Sequence, residues 1–274
     1  MKNIFEFVKL HLILSLLGAV IILSIAFLSL SGQITIISAA EKSGLEKFTK
    51  DADTTDIREN REIGFGAKRV YLQNRGYWVT AIEFENRIVA LNVRCPGSGP
   101  DAPAEVAIRN AIANAGLPNT EKNLCYYEFE DAARLNQLQS AINQQLGKID
   151  EVTATSEIVK AHQRLTSPFS LLTVGTVCGY DATKPEGLVI TESLVKAKQV
   201  DLLRSGLRSI NPEGRVYAAL GLLMLAEKNK NLLSTSDLET IEKIRSLTVV
   251  IESCSGCMPD SKTADQLILL NKTK

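Results

Sequence analysis

The sequence predicts an α+β protein, with an N-terminal transmembrane helix followed by an extracytoplasmic domain that combines an antiparallel β-meander and a C-terminal helical layer. Three observations predict this fold. Residues 12–40 carry no charged side chain, residues 68–95 form three runs separated by short turns, and apolar residues after position 200 recur at three- and four-residue steps. Alternation with a period of two is typical of strands, whereas the longer period is typical of helices.

The composition is that of a globular protein with balanced charge. The 274 residues include 31 basic and 31 acidic side chains, and 45% of the residues are hydrophobic. This balance argues against a nucleic-acid-binding protein, because phosphate contacts require an excess of Lys and Arg. His11 and His162 are the two histidines of the chain, which argues against a multi-histidine metal site. We expect neither a metal nor a cofactor.

Residues 12–31 are predicted to be a transmembrane signal anchor. A helix of this length spans roughly 30 Å, the thickness of the hydrocarbon core of a bilayer. Lys2 and Lys9 precede the segment, so residues 1–11 are expected in the cytoplasm and the main domain in the periplasm or outside the cell. Alternatively, the segment is a long signal peptide that is cleaved after Ala40, because Ser38, Ala39 and Ala40 are small residues. The length of the apolar run favours the anchor.

The rest of the chain is divided by composition. Residues 32–62 are predicted to be a polar linker, because positions 41–61 are charged and contain few large apolar residues. Residues 63–186 are predicted to form an α+β region and residues 187–274 a helical region. We expect these two regions to pack as one domain, because together they are long enough to bury a sizeable core.

The predicted meander consists of strands at residues 68–73, 77–84 and 88–95. The turns between them are short, which favours antiparallel neighbours. Counting by twos places Trp78, Thr80, Ile82 and Phe84 on one face of the second strand, and Val89, Leu91 and Val93 on one face of the third. Two more strands are predicted, at residues 124–129 and at residues 169–180 with a bend at Gly175.

Two helices are predicted between the strands. The first begins at the N-cap Asp101 and ends at Gly116, and the second spans residues 131–146 and ends at Gly147. Leu135, Leu138 and Ile142 give the second helix an apolar face.

Three consecutive helices are predicted in the last third of the chain. The first presents an apolar face from Val200 to Ile210, and the second is capped by Asn211. Residues 216–226 are all apolar, so this second helix is expected to be buried. Ser236 and Glu239 fit a capping box for the third helix. Residues 212–219, PEGRVYAA, stand out as a motif to which the sequence attaches no function.

The five cysteines all follow the predicted membrane segment, so we expect disulfides to form in an oxidising compartment. These candidates are Cys95, Cys125, Cys178, Cys254 and Cys257. The preferred pairing joins Cys95 to Cys125, because the two residues flank one predicted helix. Cys178 is expected to be the unpaired cysteine.

Cys254 and Cys257 form a C-x-x-C motif, which occurs in local disulfides, redox centres and zinc sites. A zinc site would need two further ligands, and the sequence contains neither a second such motif nor a histidine pair. A redox centre is favoured by the strand-like residues 247–251 before the motif. Too few residues follow Cys257 for a thioredoxin-type fold, so a structural role is favoured and redox chemistry is the alternative.

Other candidates for chemistry have simpler structural interpretations. His162 lies in a polar helical segment without a G-x-S-x-G motif, so we expect a surface histidine. Glycoside hydrolysis requires a pair of carboxylates. Such a pair could come from acidic residues in and beside the predicted strands, although solvent-facing strand positions are the simpler interpretation. These residues are Glu83, Glu85, Glu128, Glu130 and Asp131.

The glycine-rich segments and the aromatic pairs also have two interpretations each. Residues 64–68 and 97–99 resemble phosphate-binding loops, but they lack the full spacing and are predicted to be turns. Tyr77–Trp78 and Tyr126–Tyr127 lie in predicted strands, so one member of each pair should point into the core. The outward members are candidates for a binding surface.

No complete catalytic group is found, so the sequence predicts a membrane-anchored, non-enzymatic binding or structural module of the cell envelope. Its expected partners are the membrane, through the N-terminal helix, and an envelope protein or cell-wall component. The alternative is a membrane-anchored thiol–disulfide protein that uses Cys254 and Cys257. A third hypothesis is a cell-wall hydrolase whose carboxylates the sequence does not pair.

Overall fold

The computed structural model describes residues 44–52, 56–74, 76–95, 102–118, 124–148, 156–256 and 258–268. Within this part the chain is an α+β protein with an antiparallel sheet and helices, as predicted. The predicted membrane anchor at residues 12–31, or a signal peptide to residue 40, lies outside the described residues. Among the helices that are described, none combines the length and the apolar character needed to span a bilayer.

The main sheet contains five antiparallel strands whose spatial order follows their order in the chain. The strands are β1 (Asp56–Gly64), β2 (Ala67–Asn74), β3 (Tyr77–Phe84), β4 (Arg87–Arg94) and β5 (Glu128–Glu130). The three strands of the predicted meander are β2, β3 and β4. The turns that join β1 to β2, β2 to β3 and β3 to β4 are short. Such turns join only antiparallel neighbours, which explains this simple topology.

The prediction of a polar linker at residues 32–62 is wrong from Gly44 onward. Helix α1 (Gly44–Asp51) packs Leu45 and Phe48 in the core, and β1 pairs with β2 at the edge of the sheet. Charged side chains commonly protect an edge strand from pairing with other chains. The charge of β1 therefore made the strand resemble a solvated linker.

Apolar clusters pack on both faces of the sheet. One cluster joins the sheet to α1 and α2 (Ala102–Asn114), and the other joins it to the later helices. The predicted face of β4 is wrong at one position, because Val89 lies in the second cluster whereas Leu91 and Val93 lie in the first. An irregularity in the β3–β4 register beside Ile82 accounts for this change, since a bulge breaks the alternation of faces.

Seven helices of the described part follow β5, the last strand of the main sheet. They are α3 (Ala132–Leu146), α4 (Ser156–Thr166), α5 (Glu186–Lys196), α6 (Val200–Gly206), α7 (Pro212–Lys228), α8 (Thr235–Arg245) and α9 (Ala264–Leu267). Helix α7 is central, because it contacts α4, α5, α6 and α8. Residues 212–219 are all buried. In the apolar run 216–226, which was predicted to be buried, Leu220, Leu223, Met224 and Ala226 are half-buried and the others are buried.

The predicted N-cap Asn211 is present, the predicted capping box is shifted, and Asp131, predicted as the first residue of a helix, serves as its N-cap. The Asp131 side chain accepts a hydrogen bond from the Arg134 backbone, and the Asn211 side chain accepts one from Gly214. The capping box of α8 is formed by Ser234 and Asp237 and not by the predicted Ser236 and Glu239. Helix α8 therefore begins earlier than predicted. The predicted N-cap Asp101 lies outside the described residues.

Two parts of the chain differ from the predicted secondary structure. Residues 169–180 form a loop that makes only isolated bridges to other segments, and not the predicted strand. The predicted helical region 187–274 contains a β-hairpin of β6 (Val250–Ser255) and β7 (Met258–Thr263). In addition, Leu124–Tyr126 is a 3-10 turn, so β5 is shorter than the predicted strand. In the loop and in the hairpin, contacts with distant parts of the chain determine the secondary structure more strongly than the local sequence does.

Candidate functional site

A buried ion-pair network joins the sheet to the helical layer. Glu213 at the start of α7 accepts two hydrogen bonds from the Arg69 guanidinium of β2, each with an N–O distance of 3.0 Å. Arg61 of β1 binds the same carboxylate. The Glu213 side chain is fully buried, so its charge is balanced by arginine and not by water.

Arg215, two positions after Glu213 in the same motif, reinforces this junction. Its guanidinium donates hydrogen bonds to the backbone oxygens of Ser209, at 2.8 Å, and of Ile63 in β1. It also lies 5.0 Å from the centre of the Phe65 ring. Burial lowers the pKa of Arg215 to about 9, so the side chain remains charged at neutral pH. The motif at residues 212–219 therefore attaches the helical layer to the sheet.

Beside this junction, a cleft of about 560 Å³ lies between one face of the sheet and the segment 164–171. The strands contribute Tyr71, Trp78, Thr80, Asn92, Arg94, Glu128 and Glu130. The other wall contains Arg164, Ser167, Phe169, Ser170 and Leu171. The volume is within the range of about 300–1,000 Å³ that is common for small-molecule sites.

Trp78 is the exposed aromatic residue of the cleft. The side chain of Trp78 is 40% exposed, whereas that of its neighbour Tyr77 is 1% exposed. The second predicted aromatic pair behaves in the same way, since Tyr126 is exposed and Tyr127 is buried. The prediction that one member of each pair points into the core is therefore confirmed. Of the two outward residues, Trp78 lines the cleft and Tyr126 does not.

The floor of the cleft is polar and almost fully buried. Thr80 and Asn92 are cross-strand partners, and each is only 6% exposed. The Asn92 amide donates to a Glu128 carboxylate oxygen at 2.9 Å, and Arg94 donates to the same oxygen at 3.2 Å. Along this face of β3, the side chains change from Phe84 and Ile82 in the core to Thr80 and Trp78 in the cleft.

The opposite wall is held in place by hydrogen bonds from the start of α7. The Asn211 amide donates to the backbone oxygens of Ser167 and Ser170, at 2.9 and 2.8 Å. Further along the loop, the Tyr217 hydroxyl donates to the Thr173 oxygen at 2.7 Å. Burial raises the pKa of Tyr217 to about 12, so it stays protonated. These hydrogen bonds hold the second wall of the cleft against α7.

Two of the five predicted carboxylate candidates are in the cleft. Glu128 and Glu130 lie on the same strand, β5, and both line it. Glu85 and Asp131 instead bind Arg134, with N–O distances of 3.6 and 3.5 Å.

Glu83, the fifth candidate, is buried and accepts a hydrogen bond from the Leu45 backbone. The segment 164–171 adds no carboxylate to the described lining of the cleft. Glycosidases place their two carboxylates on either side of the scissile bond, whereas Glu128 is already hydrogen-bonded to Asn92 and Arg94.

His162 is half-buried, so the prediction of a surface residue is only partly correct. Its Nε2 atom is buried, has no hydrogen-bond partner in the described part of the protein, and lies beside α6. Burial lowers the pKa of His162, and a hydrogen bond with the Leu202 backbone partly offsets this effect. Helix α4 packs against α5, α6 and α7, so a polar sequence does not leave this face of the helix in solvent.

Two disulfides are present among the described residues. Cys95 is bonded to Cys125, as predicted, and Cys178 is bonded to Cys254. The expectation that Cys178 is unpaired is therefore wrong. The second bond is reinforced by the backbone, because Gly256 donates to the Val177 oxygen at 3.0 Å. Cys257, the second cysteine of the C-x-x-C motif, lies outside the described residues.

The glycine-rich segment 64–68 does not contribute to the described lining of the cleft. Residues 64–66 form the turn between β1 and β2, where Gly64 and Gly66 adopt φ angles of 92° and 77°. Residues 97–99 lie outside the described part. Where the chain is described, no group of three or more His, Cys, Asp and Glu side chains is placed to hold a metal ion.

Thr80 and Asn92 of the cleft floor were not identified from sequence. One sequence feature could have identified them. Thr80 and Asn92 are polar, and alternation places each on a strand face whose other residues are mostly apolar. A comparison with protein-family models, curated proteins and solved structures found no match to this chain. The chemistry of the cleft is therefore the basis on which a function is assigned.

Proposed function

We propose that the protein is a membrane-anchored, non-enzymatic binding module of the cell envelope that holds its ligand in the cleft beside Trp78. The observation that carries this proposal is the combination of an exposed tryptophan with the buried polar pair Thr80 and Asn92. Binding sites commonly combine apolar contact area with a few fixed polar groups. The apolar residues 12–31 support the anchor, and the two disulfides support export to an oxidising compartment.

The residues of the cleft favour binding over catalysis. Nucleophilic catalysis by serine needs a base within hydrogen-bond reach. Ser167 and Ser170 line the cleft, but its described lining contains no histidine or lysine. His162 lies on α4 beside α6, where it does not line the cleft. Of the two glutamates, Glu128 is hydrogen-bonded to Asn92 and paired with Arg94, which favours a structural role for its carboxylate.

The alternative function, thiol–disulfide exchange by Cys254 and Cys257, requires an additional step. Cys254 is bonded to Cys178, so this bond must open before Cys254 can pair with Cys257. Gly175 lies so close that an added Cβ would be 2.5 Å from the Cys254 sulfur, which restricts access to this bond. Disulfide mapping distinguishes the two functions.

Co-sedimentation of the full-length protein with insoluble peptidoglycan tests the proposed function. The protein is kept in dodecylphosphocholine, because detergents with sugar headgroups would compete for a saccharide site. We expect the wild type to pellet with the polymer and Trp78→Ala to remain in the supernatant. Tyr126→Ala is the matched control, since Tyr126 is an exposed aromatic residue outside the cleft lining.

The proposed function would be rejected if Trp78→Ala and Tyr126→Ala sedimented like the wild type.

The anchor is tested separately, by fractionating cells that express the full chain. Extraction of the uncleaved protein by detergent, but not by salt or alkali, is the expected result, since a spanning helix is held by apolar contacts with lipid.

A further inference from the structure

We infer that the ligand of the cleft is an uncharged oligosaccharide that stacks one sugar ring on Trp78. This inference rests on the proposed function and specifies its ligand class. It is carried by three independent properties of the cleft: its aromatic surface, its mixture of hydrogen-bonding groups and its charge balance.

The aromatic surface suits the apolar face of a sugar ring. Trp78 is 40% exposed, although β3 is the central strand of the sheet and its other seven positions are all buried. Tyr71 and Phe169 also line the cleft, one on each wall. A pyranose ring carries C–H groups on its faces and hydroxyls around its edge, so it pairs with an aromatic face while its hydroxyls reach polar groups.

The polar groups of the cleft match hydroxyls, because they include donors and acceptors side by side. Glu128 only accepts hydrogen bonds and Arg94 only donates them, whereas Asn92 does both. Asn92 and Arg94 both bind one oxygen of Glu128, which holds the three side chains in a fixed array. A hydroxyl group both donates and accepts, so neighbouring hydroxyls of a sugar can use such an array.

The charge balance disfavours an ionic ligand. The cleft contains two arginines and two glutamates, and Arg94 is paired with Glu128 at 3.2 Å. Arg164 on the other wall is paired with Glu186. Sites for phosphates or carboxylates typically present an excess of positive charge or several free backbone N–H groups. A nucleotide or an acidic peptide would therefore find little electrostatic attraction here.

Fluorescence titration provides a direct test, because Trp78 is the single tryptophan of the chain. The probes are the tetrasaccharide of N-acetylglucosamine and maltotetraose, added to the full-length protein in dodecylphosphocholine. We expect at least one of them to change the Trp78 emission in a saturable way. Stacking on an aromatic ring contributes enough that its loss should weaken binding about tenfold or more.

Calorimetry with the responding tetrasaccharide then locates the site. Trp78→Ala should lower the association constant about tenfold or more, Trp78→Phe should lie between this variant and the wild type, and Tyr126→Ala should equal the wild type. Trp78→Phe retains an apolar ring, so it separates lost stacking from a general loss of folding.

Two results would overturn the saccharide assignment. One is a Trp78 signal that responds to a peptidoglycan stem peptide but to neither tetrasaccharide. In that case the cleft still binds an envelope component, and only the ligand class is wrong. The other is equal saccharide affinity in the wild type and Trp78→Ala, which would place the sugar elsewhere. If the protein also failed to sediment with peptidoglycan, the proposed function would be rejected as well.

Discussion

Glu213 on α7 and Arg69 on β2 form a bidentate ion pair, with two N–O distances of 3.0 Å and both side chains buried. The pair joins segments that are 144 positions apart in the chain. Arg61 binds the same carboxylate from β1. The sheet and the helical layer therefore meet at a charged contact inside an apolar core, beside the wall of the cleft.

Replacing Glu213 by Gln should destabilise the protein by about 3–5 kcal/mol, because the buried arginines lose the charge that compensates them. Urea denaturation of the full chain, followed by circular dichroism, measures this change. Glu242→Gln is the matched control, since Glu242 pairs with Arg245 at a half-exposed site on α8. Such surface pairs contribute only about 0–1 kcal/mol. Equal stability of the two variants would show that the buried pair does not hold the junction.

Gly214→Ala should also destabilise the protein, although the same change usually stabilises a helix by about 0.5–1 kcal/mol. A Cβ atom at position 214 would lie 2.2 Å from the Leu165 backbone oxygen, so α4 and α7 would have to separate. Overpacking of this kind typically costs about 1–3 kcal/mol. Thermal unfolding shows directly whether Gly214→Ala is less or more stable than the wild type. A higher melting temperature of the variant would contradict the close approach of the two helices.

The sequence was informative where structure is determined locally. Strands β2, β3 and β4 were predicted because short turns and alternating side chains are visible within about thirty residues. The cap Asn211 was predicted because a cap needs only the next three residues. The prediction that one of Tyr77 and Trp78 points into the core followed from the period of a strand.

The sequence was less informative where a residue depends on distant partners. Strand β1 has a charged sequence, and it is a strand because β2 provides backbone partners. Cys178 was expected to be free because the loop–hairpin contact that brings it to Cys254 is not visible in either segment. The cleft combines β3, β4 and β5 with the segment after α4, so Thr80 and Asn92 acquire their role only in the folded chain.

Disulfide mapping should find Cys95 linked to Cys125 and Cys178 linked to Cys254. The two bonds use four of the five cysteines, so alkylation of the unreduced, denatured protein should label Cys257 alone. Peptide mass spectrometry after alkylation identifies both the links and the label. A label on Cys178 together with a Cys254–Cys257 link would instead support the thiol–disulfide alternative.

Removing the Cys95–Cys125 bond should lower the free energy of unfolding by about 3–4 kcal/mol in the chain-entropy model, because the bond closes a loop of 30 residues. The double variant Cys95→Ala/Cys125→Ala avoids leaving a reactive thiol. Chemical denaturation of this variant and of the wild type under non-reducing conditions measures the difference. Addition of a reductant should then lower the free energy of unfolding of the variant less than that of the wild type. Equal decreases in the two proteins would indicate that the Cys95–Cys125 bond contributes little.

His162 should make the protein less stable in mild acid. Burial lowers its pKa below the ordinary value of 6.5, so the folded state binds a proton less readily than the unfolded state. The contribution of the neutral side chain is fully present above pH 6.5 and is lost as the pH falls through the folded-state pKa. His162→Gln should therefore show a flatter dependence of the free energy of unfolding on pH between 7 and 5.5 than the wild type. Urea denaturation at several pH values measures both slopes, and parallel curves would mean that protonation of His162 is not coupled to folding.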